Sequence, residues 1–397
     1  MGRTAECQRT RPHENWRTFV KTKRVALLIE TSNSYARGLL LGIRNYVQSH
    51  TQWSIYLGEH RRGETIAPWL KNWEGDGIIA RIETKDIADE LLQRDLPMID
   101  VSAARHLPEI PYVETNDSEI AMAAADHLLG RGFQHLAFSG DTRFMWSNNR
   151  RDGFRDHIET SGRECHIHET PPTREKFTTE RKRLTKWLND LPKPAGIMAC
   201  YDIRGREILD ACRESGIDVP YQIAVIGVDN DELICELADP PLSSVIPNTQ
   251  RTGYEAANLL DRMMSGENVP VGAHLIPPLG IETRQSTDVL AVDDEDVAAA
   301  LRYIHDHALD GIRVEDVLDN VPVSRRVLET RFRQAIGHTP HQEILRVQID
   351  RVKQLLTNTD LTLEAIAHRC GFRHAEYMSV VFKRVTATTP GKFRTQG

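Results

Sequence analysis

Short apolar runs alternate with amphipathic stretches from Lys23 to about Glu282. The runs have the length of buried strands, and apolar residues recur at helical spacing in the segments between them. The predicted strands are Val25–Ile29, Trp53–Leu57, Gly77–Ala80, Leu96–Asp100, His135–Ser139, Gly196–Cys200 and Ile223–Gly227. The predicted helices are Tyr35–Ser49, Ile120–Arg131 and Gly205–Ser215. Such alternation indicates parallel sheets with helices on both faces, and its length of about 250 residues predicts two lobes.

The pattern changes after the prolines Pro277-Pro278 and the acidic run Asp293–Asp296. From there the spacing is helical throughout, beginning with Val297, Leu301 and Ile304 at i, i+4 and i+7. We predict a flexible extension over 1–23, a two-lobed α/β domain over 24–285, a linker over 286–296 and an all-α domain over 297–397.

The all-α domain contains two predicted helix-turn-helix units, over about 314–334 and 362–384. In the first, Ser324 is a natural N-cap for the second helix. In the second, a glycine turn at Gly371 precedes a helix from Arg373 to Arg384. The residues predicted on the buried sides of these second helices are Leu328, Phe332, Tyr377, Val381 and Phe382.

Pro340 to about Leu356 is predicted to form one helix that links the two units. A rigid link would hold two recognition helices about 34 Å apart, which is one turn of DNA, so that both could enter successive major grooves.

Polar residues cover the exposed faces of the two second helices. Arginine can read guanine and glutamate can accept from cytosine, whereas other basic residues only hold phosphates. The predicted DNA-contacting residues are Ser324, Arg325, Arg326, Glu329, Thr330, Arg333, Arg373, His374, Glu376, Ser379 and Lys383. A helical bundle that binds another protein is the alternative, and the pattern leaves open which residues contact bases and which contact phosphates.

The formal charge of −7 is unevenly distributed. From Asn320 to Gly397 there are 13 lysines and arginines against six acidic residues, a charge of +7, so the rest of the chain carries −14. A basic end on an acidic body suits a module that binds DNA phosphates. A solvated basic face would produce the same charge without binding DNA.

Polar and aromatic residues follow the carboxyl ends of four predicted strands, where open α/β sheets bind ligands. Carboxylates and arginines bind vicinal hydroxyls, and an indole presents a flat apolar face to a sugar ring. The residues predicted to bind a small polyhydroxylated ligand are Tyr35, Arg37, Trp146, Arg150, Tyr201, Asp202 and Asp229. Three have structural alternatives: Asp202 could cap a helix, Trp146 could be packed, and Arg150 could pair with a surface carboxylate.

Several function classes find no support in the sequence. There is no apolar run of the ~20 residues that span a bilayer, and the polar start does not read as a signal peptide, which disfavours a transport binding protein. Six scattered cysteines without a C-x-x-C pair favour reduced thiols, a cytoplasmic location and no structural metal. A phosphate loop, a G-x-S-x-G motif and a metal-ligand cluster are all lacking, so we predict neither an enzyme nor a cofactor.

The all-α domain resembles the AraC/XylS family of transcription regulators. The matching residues are Ser324, Leu328, Phe332, Gly337, Pro340, Ile366-Ala367, Gly371-Phe372, Phe382-Lys383 and Thr389–Arg394. One departure is Pro322, which stands at a turn position where the family often has glycine.

The α/β domain resembles the sugar-binding domain of LacI-type repressors and periplasmic sugar-binding proteins (type I). The matching residues are Tyr35, Gly42-Ile43, Asn116-Asp117, Arg150, Gly153-Phe154, Ala199–Asp202, Val225–Asp229, Pro241–Val245 and Gly253. The resemblance implies that Arg150, Tyr201 and Asp229 touch the ligand, although Tyr201 replaces the usual small polar residue.

The order of these domains resembles that of a group of bacterial sugar-operon regulators. The joint signatures are Val225–Leu233, Leu242–Val245, Val317–Asp319, Leu328-Glu329 and Arg331-Phe332. The resemblance implies a D-xylose-responsive activator that binds operator DNA as a homodimer and contacts RNA polymerase. We expect sugar to bind between the two lobes and to favour a closed form. A repressor released by sugar, and a sensor of another pentose or a deoxysugar, remain open.

Overall fold

The computed structural model describes residues 22–58, 69–70, 73–171, 177–288, 292 and 294–394. The predicted flexible extension therefore lies, except for residues 22 and 23, outside the described residues. The chain divides into two compact units, residues 1–115 with 248–276 and residues 116–247 with 277–397. The sequence patterns predicted two lobes without predicting that residues 248–276 return to the first one.

The first unit is built on a parallel sheet of strand order β11-β5-β4-β3-β1-β2. Its strands are β1 (Lys23–Leu28), β2 (Trp53–Leu57), β3 (Gly77–Ala80), β4 (Met98–Asp100), β5 (Tyr112–Thr115) and β11 (Ala273–Ile276). Its helices are α1 (Ser34–His50), α2 (Lys85–Leu91) and α8 (Thr249–Met264).

Helices α1 and α8 pack closely because glycines stand at their contact. A Cβ at Gly42 would lie 2.0 Å from the carbonyl oxygen of Gln250, and one at Gly253 would lie 2.0 Å from that of Leu39. Only glycine fits at both positions, so the local sequence holds the returning segment of the chain against the first unit.

The second unit contains a sheet of order β12-β10-β9-β8-β6-β7, parallel except for β12. Its strands are β6 (His135–Asp141), β7 (Cys165–Thr170), β8 (Ala195–Ala199), β9 (Ile223–Val228), β10 (Ser243–Ile246) and β12 (Gly280–Glu282). The helices around it are α3 (Asp117–Leu129), α4 (Met145–Thr160), α5 (Phe177–Asp190), α6 (Asp202–Glu214) and α7 (Glu232–Leu237).

The rest of the second unit is helical. Its helices are α9 (Glu295–His307), α10 (Val314–Leu318), α11 (Arg325–Ile336), α12 (Pro340–Asn358), α13 (Leu363–Arg369), α14 (Ala375–Thr386) and α15 (Pro390–Arg394). One core gathers α9 around Leu328 and Phe332, and another joins α12 to Phe382. The acidic run that predicted a boundary contributes the N-cap of α9, because Asp294 accepts hydrogen bonds from the backbone of Asp296 and Val297. None of the helices in the described residues has the length and apolarity that a membrane span requires.

One residue of the second predicted helix-turn-helix unit was assigned to the wrong face of its helix. Tyr377 is 52% exposed, and Met378 is buried in its place beside Val381 and Phe382. Helical spacing explains the difference, because residue 378 lies three and four positions before these two residues and shares a face with both. Ser324 occupies the N-cap position of α11, but in the described part of the chain its hydroxyl does not bond a helix N–H.

Candidate functional site

A buried arginine of the second unit joins three segments, each of which follows the carboxyl end of a strand. The side chain of Arg150 in α4 is 3% exposed, and its Nε donates to Asp117 Oδ1 at 2.8 Å. Its Nη1 donates to the carbonyl oxygen of Cys200 at 2.7 Å and lies 4.0 Å from Asp229 Oδ1. Asp117 begins α3, Cys200 follows β8 and Asp229 follows β9, so the guanidinium ties together residues far apart in sequence.

The close approach of α3 and α4 allows this contact. A Cβ at Gly153, one turn beyond Arg150, would lie 3.2 Å from Ser118 Cα, so the backbones meet where a larger residue would separate them. Burial raises the pKa of Asp117, and the Arg150 charge opposes that rise. A buried carboxylate needs such a partner.

One aromatic ring lies beside the same guanidinium, and two further rings pack against that one. Arg150 Cζ lies 5.2 Å from the centroid of the Trp146 ring, which is 6% exposed. The Tyr201 ring stands against Trp146 at 5.6 Å with an interplanar angle of 68°, and the Phe144 ring stacks on it at 5.2 Å. Charge and flat apolar surface therefore occur together, as in sites that bind polyhydroxylated rings.

Asp229 is held by an unusual backbone. Its φ is 107° and that of Asn230 is 47°, a region that favours glycine. The N–H of Asp229 donates to the carbonyl of Val245 at 3.1 Å, and that of Asn230 donates to Ser244 Oγ at 3.0 Å. The Asp229 side chain is 13% exposed. Non-glycine residues in this conformation concentrate at functional sites, because the surrounding structure must stabilise them.

Asp202 lies beneath this loop rather than on its surface. It is 2% exposed, accepts from Ser244 Oγ at 2.6 Å through Oδ1, and accepts from the N–H of Asp231 at 2.7 Å through Oδ2. Burial, with the Asp229 carboxylate second, raises the pKa of Asp202 to about 8. Its predicted contact with a ligand stays a prediction, and these contacts favour a structural role in holding the loop after β9.

In the first unit, Tyr35 lies in a comparable setting. Its hydroxyl is 3.2 Å from Thr115 Oγ1, and the guanidinium of Arg81 lies 5.2 Å from its ring centroid. Arg81 Nη1 donates to Glu30 Oε1 at 2.7 Å, and Nη2 pairs with Glu83. The other predicted residue of this unit, Arg37, is exposed and donates to the backbone carbonyl of Thr31 at 3.3 Å.

Sequence reasoning did not select Glu30, Arg81 or Asp117 as site residues. Glu30 and Arg81 each come directly after an apolar run that was predicted to be a strand, and this position could have identified them as candidate site residues. Asp100 was also missed. It is 1% exposed, accepts from the backbone N–H of Ser102 at 2.9 Å, and burial raises its pKa to about 7.

The predicted DNA-contacting residues of the first helix-turn-helix unit lie on and around α11. Ser324, Arg325, Arg326, Thr330 and Arg333 are exposed, and Glu329 is half-buried. Arg325 pairs with Glu315 at 2.6 Å and with Glu329 at 3.0 Å. Exposed pairs of this kind contribute about 0–1 kcal/mol, so phosphate or a base edge can replace them.

The predicted residues of the second helix-turn-helix unit lie at the start and along the outer face of α14. Arg373, His374, Glu376 and Lys383 are exposed, and Ser379 is half-buried. The same helix exposes Tyr377 and, at 65%, Val380. The sequence had not singled these two out as DNA contacts, yet exposed apolar groups on such a helix suit the methyl group of thymine.

Among the described residues, no group of three or more histidine, cysteine or acidic side chains is arranged to hold a metal ion. The five cysteines in that part of the chain, at positions 165, 200, 212, 235 and 370, are free thiols.

Comparison with known proteins agrees with this arrangement. Residues 24–118 match the XylR N-terminal domain, 125–287 match a periplasmic binding protein-like domain and 318–396 match a helix-turn-helix domain. The xylose operon regulatory proteins of Escherichia coli (strain K12) and Haemophilus influenzae are each 34% identical to the chain. The alignments cover 95% and 94% of this chain and 98% of each relative. The chain belongs to the family of xylose operon regulatory proteins.

A solved structure described as the xylose-binding transcription activator xylR extends the agreement to three dimensions. It is 33% identical, has a TM-score of 0.80, and the match covers 96% of this chain and 99% of that one. Xylose operon regulatory proteins are transcription regulators, so the prediction that the chain is not an enzyme is confirmed. The predicted combination of a periplasmic-binding-protein-like domain with an AraC-type helix-turn-helix domain is confirmed as well.

Proposed function

We propose that this chain is a cytoplasmic D-xylose-responsive regulator that binds operator DNA as a homodimer and activates sugar-catabolism genes through RNA polymerase. The observation that carries the proposal is the cluster of Arg150, Asp117 and Asp229 beside Trp146. Its relatives are named for the xylose operon, and one solved relative is described as xylose-binding.

The chemistry of the cluster suits an uncharged sugar. Asp229 can accept hydrogen bonds from two adjacent hydroxyls, and the Arg150 guanidinium can donate to a hydroxyl oxygen. Because Arg150 already has a buried carboxylate partner, the ligand need not bring a charge of its own. The Trp146 and Tyr201 rings supply apolar surface for the C–H face of the sugar.

Calorimetric titration with D-xylose, other pentoses and hexoses tests the ligand. We expect D-xylose to bind the wild-type chain, and Asp229→Ala to abolish the heat of binding. Asp190→Ala, an exposed aspartate at the end of α5, is the matched control and should bind like wild type. Binding of a different sugar alone would support the sensor mechanism and exclude D-xylose as the ligand. This outcome is worth testing because Tyr201 stands where LacI-type proteins usually have a small polar residue.

Anisotropy titrations with a duplex selected by the full-length protein from a random pool test the DNA function. D-xylose should strengthen binding, and a reporter gene behind that duplex should rise with sugar. A reporter whose expression is high without sugar when the gene for this chain is deleted would identify a repressor released by sugar instead. Sedimentation of the protein–duplex complex measures whether two chains bind.

The exposed Arg326 is proposed to read a base. Arg326→Ala should then relax preference at one position of the duplex and cost about 1–3 kcal/mol there. An equal loss of affinity for every sequence would assign Arg326 to a phosphate.

A further inference from the structure

Two polar contacts hold the helical region against the sheet-containing part of the second unit. The first lies at the amino end of β9. Tyr221 Oη donates to the carbonyl oxygen of Leu301 in α9 at 3.2 Å, and its ring meets that of His305 edge-on at 5.4 Å. Burial raises the pKa of this tyrosine well above its usual range, so it remains a hydrogen-bond donor at every physiological pH.

The second contact is an ion pair. Arg346, in the second turn of α12, pairs through Nη1 with Asp288, which follows the short 3-10 helix Gln285–Thr287 beyond β12. The same guanidinium donates to Glu343 through Nε at 2.9 Å and through Nη2 at 2.8 Å. Arg346 therefore joins α12, the helix between the two helix-turn-helix units, to the sheet-containing part.

Glu343 fixes the geometry of this guanidinium. It is 3% exposed and also receives His305 Nε2 at 2.7 Å and His338 Nε2 at 2.6 Å. One carboxylate thus gathers α9, the turn after α11 and α12. Burial alone would raise the pKa of Glu343, but the hydrogen bonds from Arg346 and His305 and the Arg346 charge outweigh it and lower that pKa.

This junction borders a pocket that is open to solvent. The pocket has a volume of about 360 Å³ and is lined in part by Arg131, Leu301, Ile336 and His338. The Arg346 and Asp288 side chains that also line it are 32% and 42% exposed, and an ion pair this exposed can be rearranged at small cost. The junction therefore has the properties of a contact that can change between two arrangements.

Both contacts are attached to strands that end at the Asp229 loop. Strand β9 is buried along its whole length, and its 6 residues span about 20 Å between the turn that contains Tyr221 and the loop that begins at Asp229. In β10, Ser243 Oγ accepts from Thr287 Oγ1 at 2.7 Å, next to Asp288, while the neighbouring Ser244 Oγ donates to Asp202. Strands β9 and β10 thus have their carboxyl ends at the Asp229 loop and their amino ends at the junction, so a displacement of the loop acts on both strands.

We propose that the junction formed by Tyr221, Asp288, Glu343 and Arg346 transmits sugar occupancy to the DNA-binding helices, with Arg346 as its central positioning residue. The inference rests on the proposed function, because it assigns the route by which that function is regulated. Sugar can change the DNA affinity only if it binds two arrangements of the chain with different affinity. In this proposal the two arrangements differ in the contacts of the junction.

The decisive quantity is the ratio of the DNA dissociation constants measured without and with D-xylose on the full-length chain. In wild type we expect a ratio of roughly 5–150, the usual range for linked sites. Arg346→Gln should bring the ratio to about one while leaving the calorimetric affinity for D-xylose unchanged. Arg346→Lys, which keeps the charge, should restore part of the ratio.

Arg351→Gln is the matched control, because Arg351 is an exposed arginine of the same helix that bonds Gln354. It can weaken DNA binding with and without sugar, but the ratio should stay that of wild type. Asp288→Asn tests the junction with less disturbance, since Arg346 keeps its bonds to Glu343. The double variant Asp288→Asn, Arg346→Gln should lose no more of the ratio than Arg346→Gln alone.

The outcomes separate the two proposals. A wild-type ratio of one contradicts the proposed function itself. A wild-type ratio above one that survives in both Arg346→Gln and Asp288→Asn, with folding and sugar affinity intact, overturns the junction and leaves the proposed function standing. Should Arg346→Gln unfold, Asp288→Asn and Tyr221→Phe decide the matter alone.

Discussion

Each unit buries an arginine against an aromatic ring at the carboxyl end of its sheet, but the two arginines use their donors differently. Arg81 and Arg150 both lie 5.2 Å from a ring centroid, of Tyr35 and Trp146 respectively. Arg81 directs its two Nη atoms to the carboxylates of Glu30 and Glu83. Arg150 divides its donors between Asp117 and the carbonyl of Cys200, with Asp229 at 4.0 Å.

The difference separates a structural ion pair from a site able to take a ligand. Around Arg81 the carboxylates are at most 9% exposed and in direct contact with the arginine. Around Arg150, the Asp229 carboxylate is partly exposed and farther from the guanidinium than a hydrogen bond. The Asp229 side chain is 13% exposed against 3% for Glu30, so a hydroxyl group from solvent reaches Asp229 more readily than it reaches Glu30.

Removal of either arginine should give the largest effect. Arg81→Met and Arg150→Met each leave a carboxylate buried without its cation, which should lower the free energy of unfolding by about 3–5 kcal/mol. Chemical denaturation measures both, with Arg206→Met, on the exposed face of α6, as a control expected to change little. A loss below about 1 kcal/mol for Arg81→Met would show that its ion pairs are not structural.

Asp100 should make the stability of the first unit depend on pH. Its pKa is about 7 in the folded chain, against roughly 3.9 when unfolded, so its contribution is complete below pH 4 and is lost as pH rises through 7. Relative to Asp100→Asn, wild type should therefore lose on the order of 2 kcal/mol between pH 5 and pH 8.

Urea unfolding of both proteins at the two pH values measures this difference. Asparagine keeps an oxygen to accept from the Ser102 backbone, so the variant isolates ionisation from hydrogen bonding. Parallel pH dependence in the two proteins would contradict the raised pKa.

Neutralising one carboxylate beside Arg150 should weaken sugar binding, whereas neutralising one beside Arg81 should not. Asp229→Asn should weaken D-xylose binding by about tenfold or more, a loss of at least about 1.4 kcal/mol, because a charge-assisted acceptor is replaced by a neutral one. Glu83→Gln should leave the calorimetric affinity within about twofold of wild type. Equal losses in the two variants would break the distinction drawn above.

The smallest expected effect is that of Tyr35→Phe. Loss of the hydroxyl contact with Thr115 Oγ1 should cost about 0.5–1.5 kcal/mol of unfolding free energy, while the ring keeps its position over Arg81. Thermal unfolding detects this change, and calorimetry shows whether the hydroxyl also contributes to sugar binding. A stability equal to that of wild type would mean that water replaces the hydrogen bond.

Local periodicity was sufficient to predict several elements of both sheets. The runs Trp53–Leu57 and Gly77–Ala80 are strands as predicted, and the helix predicted from Pro340 to about Leu356 is α12. Local periodicity did not predict the elements in which apolar residues do not recur at regular spacing. Helix α4, which carries Trp146 and Arg150, has a polar sequence from Ser147 to Gly153, and β11 is a half-exposed strand at the sheet edge.

The sequence by itself determined the class of the protein through three features: alternating strands and helices, two helix-turn-helix units in tandem, and polar residues after strand ends. These features depend on neighbours within a few positions, where periodicity and capping act. Tertiary structure alone decided that residues 248–276 complete the first unit, that Asp117 is the partner of Arg150, and that Arg346 meets Asp288. Such pairings depend on which distant segments pack together, and a single buried charge cannot indicate from its own position which opposite charge will neutralise it.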